Sequence, residues 1–324
     1  MREFASQFQD IKSRIEDAKN ILIISHQKPD GDALGSSLAL SHYLDHLEKE
    51  HTCFCVHKVP QNFSFLPSAD KFTDNHNDIR KNKYDLICVL DSGDLHYAGV
   101  EELLDALNEH KPIIINIDHH PTNTHFGHLN LVHDQASSAS EIIFRFLDFH
   151  RHQISQETAT CLLTGIMTDT GIFSNLATTS SSLEAASRLL GYGARLRQIM
   201  LNTMRNMTLV DLQLWGRVLS RLKEDAETGI VSTAVTREDF EEFGIKEEAT
   251  EGIANFLNNL GTAKVVMVLK EYEKGKIKAS LRTTHPDVDV SALAKTFGGG
   301  GHKKAAGFSV EGSLLEKENS WEVV

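Results

Sequence analysis

Cysteine is scarce in this chain, with four in 324 residues. Cys53, Cys55, Cys88 and Cys161 are too few for a disulfide framework, and no C-x-x-C spacing points to structural zinc. Long apolar runs are missing as well. The longest aliphatic stretches, Ile21–Ile24, Ile113–Ile115 and Val265–Leu269, fall far short of the ~18 residues of a membrane-spanning helix. Basic residues are outnumbered, 33 against 45 acidic, and the formal charge of −12 has the wrong sign for coating long nucleic acid. An anionic ligand therefore requires a local reversal of that field. The first twenty residues carry Phe4, Phe8, Ile11 and Ile15 at helical spacing and no apolar signal core, so the expected compartment is the cytoplasm.

What remains has globular composition, 40% hydrophobic and 24% charged, and a length that predicts about two domains. Short apolar runs alternate with helical patterns, the signature of parallel β/α layering. Strands are expected at 20–25, 51–57, 84–90 and 112–117, and helices at 31–47, 100–108, 138–147, 156–167 and 182–190. Continuous apolar strands read as a parallel sheet covered by helices on both faces. The first domain is placed at 1–190, ending at Gly191-Tyr192-Gly193. Linking helices are placed at 191–223, and a smaller α+β domain at 224–324 with strands at 230–235, 263–270 and 276–282 before a glycine-rich turn. From Arg188 to Lys223 there are seven basic residues and one acidic residue, read as a cleft lining or a solvated helix face. The acidic run 237–251 reads as a solvated face.

Three first-domain strands end in chemistry. The first runs into His26, Asp30 and Asp32, the third into Asp91, and the fourth into Asp118, His119 and His120. In open α/β sheets the loops at the carboxyl ends of strands converge on one crevice, so these residues are expected to meet. Asp169, at the end of a helical pattern, adds a fourth point. Taken singly, Asp-Gly-Asp is also a common turn with a helix N-cap, and a histidine after a strand is usually a surface residue. Three strand ends together point to metal. Carboxylates and imidazoles without thiols suit hard or borderline divalent ions such as Mn²⁺, and crowded carboxylates need cations to stay ionised.

The strings HQKPDGDALGS (His26–Ser36), VLDSGD around Asp91, Asp118-His119-His120 and TGIMTDTG around Asp169 resemble, in order, the four motifs of the DHH phosphoesterases. FGGGGHKKAAGF (Phe297–Phe308), preceded by Ser280-Leu281-Arg282, resembles the signature of the DHH-associated C-terminal domain. That second signature separates the chain from family II pyrophosphatases, and its length separates it from the longer single-strand exonucleases. The resemblance implies a catalytic domain facing a substrate-binding domain across a cleft, and two Mn²⁺ ions, with Mg²⁺ or Co²⁺ as substitutes. His26 and Asp30 would bind one ion, Asp32 and His119 the other, Asp91 would bridge them, and Asp169 would complete the cluster. Such a pair lowers the pKa of a shared water for in-line attack on phosphorus. His120 would touch the phosphoryl oxygen or protonate the leaving oxygen, and Asp118 would orient the loop.

In the C-terminal motif, Gly299, Gly300 and Gly301 offer bare backbone to an anion, with Lys303 and Lys304 following, while Arg282 and His302 suit a terminal phosphate. The expected enzyme is a metal-dependent phosphodiesterase and phosphatase, similar to the nanoRNase group. It would act on very short oligonucleotides and on 3′-phosphoadenosine 5′-phosphate, with no membrane and no coating of long polymers, and a homodimer left open. Two alternatives stand beside it: a cyclic or linear dinucleotide phosphodiesterase of the c-di-AMP/pApA type, and a non-catalytic nucleotide-binding protein.

Overall fold

The computed structural model describes residues 4–107, 109, 111–203, 207–244, 250, 252–273, 275–318 and 320–324. The chain divides into two compact units, Met1–Asn206 and Met207–Val324. In chain order the first contains α1 (Ala5–Asp17), β1 (Asn20–Ser25), α2 (Gly31–His46), β2 (Glu50–Phe54), β3 (Phe72–Thr73), α3 (His76–Lys81) and β4 (Leu86–Leu90). It continues with α4 (Leu95–Ala98), α5 (Glu101–Leu107), β5 (Ile113–Asp118), β6 (Leu129–Val132), α6 (Ala139–Phe149), α7 (Gln156–Asp169), α8 (Ser180–Gly191) and α9 (Leu196–Thr203).

The six strands form a parallel sheet in the order β3-β2-β1-β4-β5-β6. Alternation along β1 divides the core into two layers. Ile21 and Ile23 pack into a cluster with residues of α1, α2, α6 and α7, whereas Leu22 and Ile24 pack into another with Ile79, Leu103, Leu104 and Leu107 of α3 and α5. Strands apolar at every position are thus explained by burial on both faces. β2 stops at Phe54 rather than at residue 57, and β3 and β6 have no counterpart in the sequence reading. β3 has two residues and β6 only four, Leu-Asn-Leu-Val, too little pattern to register as strands.

The second unit contains α10 (Leu209–Ser220), β7 (Lys223–Asp225), β8 (Ile230–Val235), α11 (Arg237–Phe243), α12 (Ile253–Leu257), β9 (Val265–Glu273) and β10 (Lys276–Arg282). After these come α13 (Val290–Thr296), β11 (Gly300–His302), β12 (Ala305–Glu311), β13 (Leu314–Glu316) and β14 (Trp321–Val323). Its mixed sheet runs β11-β12-β10-β9-β8-β7, parallel at β8–β9 and antiparallel elsewhere. The break between units falls within residues 191–223, leaving α9 with the first unit and α10 with the second.

Both charged stretches are partly tied down. The basic residues between Arg188 and Lys223 are largely paired within their own units, although Arg195 and Arg197 stay exposed as on a solvated face. Arg188 binds Asp148, Arg195 lies 3.3 Å from Glu157, Arg217 and Arg221 bind Glu242 and Asp239, and Lys223 lies 3.1 Å from Glu316. The acidic run is not uniformly solvated either. Asp239 is fully buried, because its side chain caps α11 at Thr236 and receives Arg221. Residues 245–249 and 251 of that run lie outside the described residues.

Candidate active site

Strand register assembles the site. Ser25 of β1 pairs with Leu90 of β4, and Leu90 with Ile117 of β5. The next residues, His26, Asp91 and Asp118, therefore stand in one row at strand spacings of about 4.8 Å. The row lies where strand order reverses, with β2 on one side of β1 and β4 on the other, the usual ligand crevice of such sheets. Asp91 takes a left-handed turn at φ 56°, a conformation that aspartate tolerates better than most residues, and its amide donates to the Ile117 carbonyl at 2.9 Å.

Around Asp91 the predicted residues converge. His26 Nε2 lies 3.5 Å from Asp91 and 3.7 Å from Asp30, while its Nδ1 is fixed by the Gln27 carbonyl at 2.7 Å. His119 Nε2 lies 3.4 Å from Asp91 and 3.1 Å from Asp169. Three sets have ligand atoms within 4.8 Å of one another: His26, Asp30 and Asp91; Asp32, His119 and Asp169; and Asp91, Asp118, His119 and His120. Asp30 also caps α2, its Oδ1 accepting from the amides of Asp32 and Ala33 at 3.0 Å. The turn-and-cap reading of Asp-Gly-Asp and the cluster reading thus both hold for this residue.

The donor set fits divalent cations. Asp91 Oδ1 and His119 Nε2 are buried and have no hydrogen-bond partner among the described residues, an arrangement that is costly unless another group completes it. Charge says the same. Burial, with Asp91 and Asp169 adding to it, holds the Asp32 carboxyl well above the usual carboxylate range. Burial also lifts Asp169 to about 6, with Asp30 and Asp91 adding and His119 opposing. On the histidines burial works the other way, yet carboxylates outweigh it. Asp30 and Asp91 push His26 up to about 12, and Asp169 and Asp91 push His119 well above its ordinary value. The cluster therefore retains protons in places where divalent cations would restore ionised carboxylates and neutral imidazoles.

His120 has a different setting. Its Nδ1 donates to buried Asp118 at 2.7 Å, and Asp118 also accepts from Asn123 Nδ2 at 2.6 Å. Burial opposes protonation of His120, but Asp118 raises its pKa overall. An imidazole oriented by a fixed carboxylate is the arrangement of a general acid.

Several supporting groups escaped sequence reasoning. Asp32 is held by the amino end of α6, where the amides of Ala139 and Ser140 donate to its two oxygens at 2.6 and 2.8 Å. Ser138 before an apolar run marks that helix start, but nothing local says where it docks. Gly165 of α7 is needed beside it, since a Cβ there would lie 2.0 Å from Ser140 Oγ and 2.5 Å from Asp32 Oδ1. Tyr97 of α4, whose ring centroid lies 5.0 Å from that of His26, carried no motif signal.

In the second unit the glycine stretch is part turn and part strand: Gly298 takes a left-handed turn at φ 73°, as expected, whereas Gly300 and Gly301 belong to β11. Gly300 pairs with Gly307 and His302 with Ala305, while β12 pairs in turn with β10 at Ser280 and Arg282. Residues opposite one another in a ladder share a face. Arg282, Ala305 and His302 thus form one row, and Ser280, Gly307 and Gly300 the row beside it. Small residues make a shallow floor between an arginine and a histidine. Of the three predicted glycines only Gly300 has open space at its Cβ position; a Cβ on Gly299 would lie 2.2 Å from the Gly307 carbonyl, and one on Gly301 2.6 Å from that of Ala305. Those two serve close strand packing. The Lys304 ammonium is also occupied, donating to the carbonyls of His285 and Val288. Arg282 donates through Nε to Asn255 Oδ1 at 2.8 Å and through Nη1 to its neighbour's carbonyl at 2.9 Å, which fixes the guanidinium plane.

Residues 20–166 match the family model described as "DHH family, N-terminal domain", and residues 220–320 match the DHHA1 domain. A Thermus thermophilus protein named bifunctional oligoribonuclease and PAP phosphatase NrnA is 32% identical over 92% of this chain and 86% of its own length. A Geobacillus thermodenitrificans protein named cyclic-di-AMP phosphodiesterase GdpP is 26% identical over 90% of this chain and 45% of its own. Among solved structures, an exopolyphosphatase-related protein from Bacteroides fragilis superposes with a TM-score of 0.86 at 29% identity, covering 95% of this chain and 92% of that one.

Proposed function

The chain belongs to the DHH family of phosphoesterases, and from that premise we propose that it hydrolyses very short oligonucleotides and 3′-phosphoadenosine 5′-phosphate with two divalent cations, Mn²⁺ foremost. The observation that carries the reading is the cluster of His26, Asp30, Asp32, Asp91, His119 and Asp169, in which buried Asp91 Oδ1 and His119 Nε2 have no hydrogen-bond partners among the described residues. When bound there, the cations supply Lewis acidity, activating a water and neutralising phosphoryl oxygens. The protein's own groups do the rest. The amides of Ala139 and Ser140 hold Asp32, and the Gln27 carbonyl sets the His26 ring. Asp118 keeps His120 protonated and aimed, so that it delivers a proton to the oxygen leaving phosphorus as water adds in line.

The floor bounded by Arg282 and His302, with Gly300 beside them, binds the part of the substrate that does not react. A fork of guanidinium N–H groups matches a terminal phosphate, and bare backbone at Gly300 admits close approach. This floor supplies the local positive field that the acidic body lacks. The enzyme works in the cytoplasm, and a homodimer is compatible with the reading; among the described residues no helix is long and apolar enough to cross a membrane.

The resemblance to the cyclic-di-AMP phosphodiesterase supports a second reading, with a signalling dinucleotide as substrate. One panel decides between them. Initial rates with Mn²⁺ on di- to pentaribonucleotides, 3′-phosphoadenosine 5′-phosphate, linear pApA and cyclic-di-AMP should be highest on the short linear RNAs. Fastest turnover of the cyclic substrate moves the assignment to the second reading. Failure to hydrolyse any of them, or a generic nitrophenyl phosphodiester, leaves a nucleotide-binding protein.

A further inference from the structure

Tyr97 is the exposed aromatic side chain beside the metal-ligand cluster. Its ring centroid lies 5.0 Å from that of His26 and 6.4 Å from that of His120, yet 48% of the residue is open to solvent. The backbone under it is tightly placed. Asp94 caps α4 by accepting from the Tyr97 amide at 2.6 Å, Ser92 Oγ donates to the Asp94 carbonyl at 2.7 Å, and Gly99 closes the helix in a left-handed turn at φ 73°. The ring is thereby held six residues beyond Asp91.

A tyrosine exposed beside a cluster of carboxylates gains little from protein packing. We propose that Tyr97 is a base-stacking residue: its open ring receives the nucleobase of the nucleoside attached to the scissile phosphate. The inference rests on the phosphoesterase reading and deepens it. With its ring centroid 5.0 Å from that of His26 and 6.4 Å from that of His120, Tyr97 stands within the length of one nucleoside from a phosphate held beside these two residues. Stacking on an aromatic face is tolerant of base identity, because every base has a π-face. It also supplies affinity without positive charge, which suits a protein of formal charge −12. Recognition is thereby divided, with the ring taking the base and the cations taking the phosphate. Substrates lacking a base would lose one of these two holds.

The test uses the full-length chain loaded with Mn²⁺ and the variants Tyr97→Phe and Tyr97→Leu. A readout that needs no turnover is fluorescence of 2-aminopurine riboside 5′-monophosphate, which is quenched when its base stacks. Quenching is expected with the wild type and Tyr97→Phe and is lost with Tyr97→Leu. In kinetics, Tyr97→Leu should raise KM for diadenylate about ten- to a hundredfold with kcat within threefold, while Tyr97→Phe stays within twofold of wild type. On an abasic ribose analogue, Tyr97→Leu should match wild type. Equal losses on both substrates, a Tyr97→Phe defect as large as that of Tyr97→Leu, or quenching that is absent from the wild type or survives in Tyr97→Leu overturns the proposal. Wild-type hydrolysis with unchanged Tyr97→Leu kinetics removes the stacking role and leaves the function standing. Tyr97-dependent quenching without any hydrolysis does the reverse.

Discussion

The strand-end cluster of the first unit and the glycine-rich stretch of the second use their motifs in opposite ways. In the first, polar side chains converge and leave atoms unsatisfied: Asp91 Oδ1 and His119 Nε2 are buried without partners. In the second, much of the motif serves the fold itself. Gly299 and Gly301 permit close strand approach, and Lys304 ties a loop through two carbonyls. Only Arg282, Gly300 and His302 face the shallow floor as candidate ligand contacts. Motif residues thus divide into those that close strand and loop contacts and those that line the shallow floor, and only the structure separates them.

The largest expected effect breaks the first region. Asp91→Asn keeps the volume but removes the shared anionic ligand, so hydrolysis should fall by at least about a thousandfold while thermal unfolding remains cooperative. Near-wild-type rates would remove Asp91 from the centre. Asp118→Asn comes next. It leaves the ligand cluster in place and disturbs the partner of His120, so kcat should drop about a hundredfold, within the range of general acid catalysis, with metal content unchanged. Loss of bound metal in that variant would instead make Asp118 a ligand.

Smaller effects sharpen the second region. Arg282→Ala should lower kcat/KM on a natural dinucleotide about ten- to a hundredfold, the value of a charge-assisted contact of ~1.5–3 kcal/mol. A small chromogenic phosphodiester should be cleaved almost normally by the same variant. Equal losses on both substrates would place Arg282 in the fold or in the chemistry. The smallest effect is a contrast in stability between two neighbouring glycines. Gly299→Ala should cost about 1–3 kcal/mol by overpacking, whereas Gly300→Ala should leave the melting temperature nearly unchanged and affect substrate binding alone. Equal melting temperatures would contradict the assignment of Gly299 to strand packing.

Legibility in the sequence followed the same division. The parallel sheet was readable because β1, β4 and β5 carry near-continuous apolar runs, and the convergence of His26, Asp91 and Asp118 followed from their position at the strand ends. Groups supplied by distant elements were not readable. The amides of Ala139 and Ser140 reach Asp32 across 107 and 108 residues, and no local pattern encodes that docking. Gly165 looked like an ordinary helix residue, although its missing side chain makes room for Asp32. Four successive glycines suggest a turn because local propensity disfavours a strand there; Gly298 keeps the turn, and pairing of β11 with β12 overrides it at Gly300 and Gly301. The basic residues before Lys223 looked available for a ligand, since the partners Asp148, Glu157 and Asp239 lie elsewhere in the sequence.

The most direct test of the metal-centre account is a Mn²⁺ titration of the full-length chain by calorimetry in buffers of different ionisation enthalpy. His26 and His119 hold protons above their ordinary pKa, so binding must displace them, and affinity must fall as pH falls. The fall should steepen below about pH 6, where Asp169 is protonated as well. The account predicts two ions per chain with net proton release at pH 7.5. A single ion, or binding of two without proton release, would contradict it.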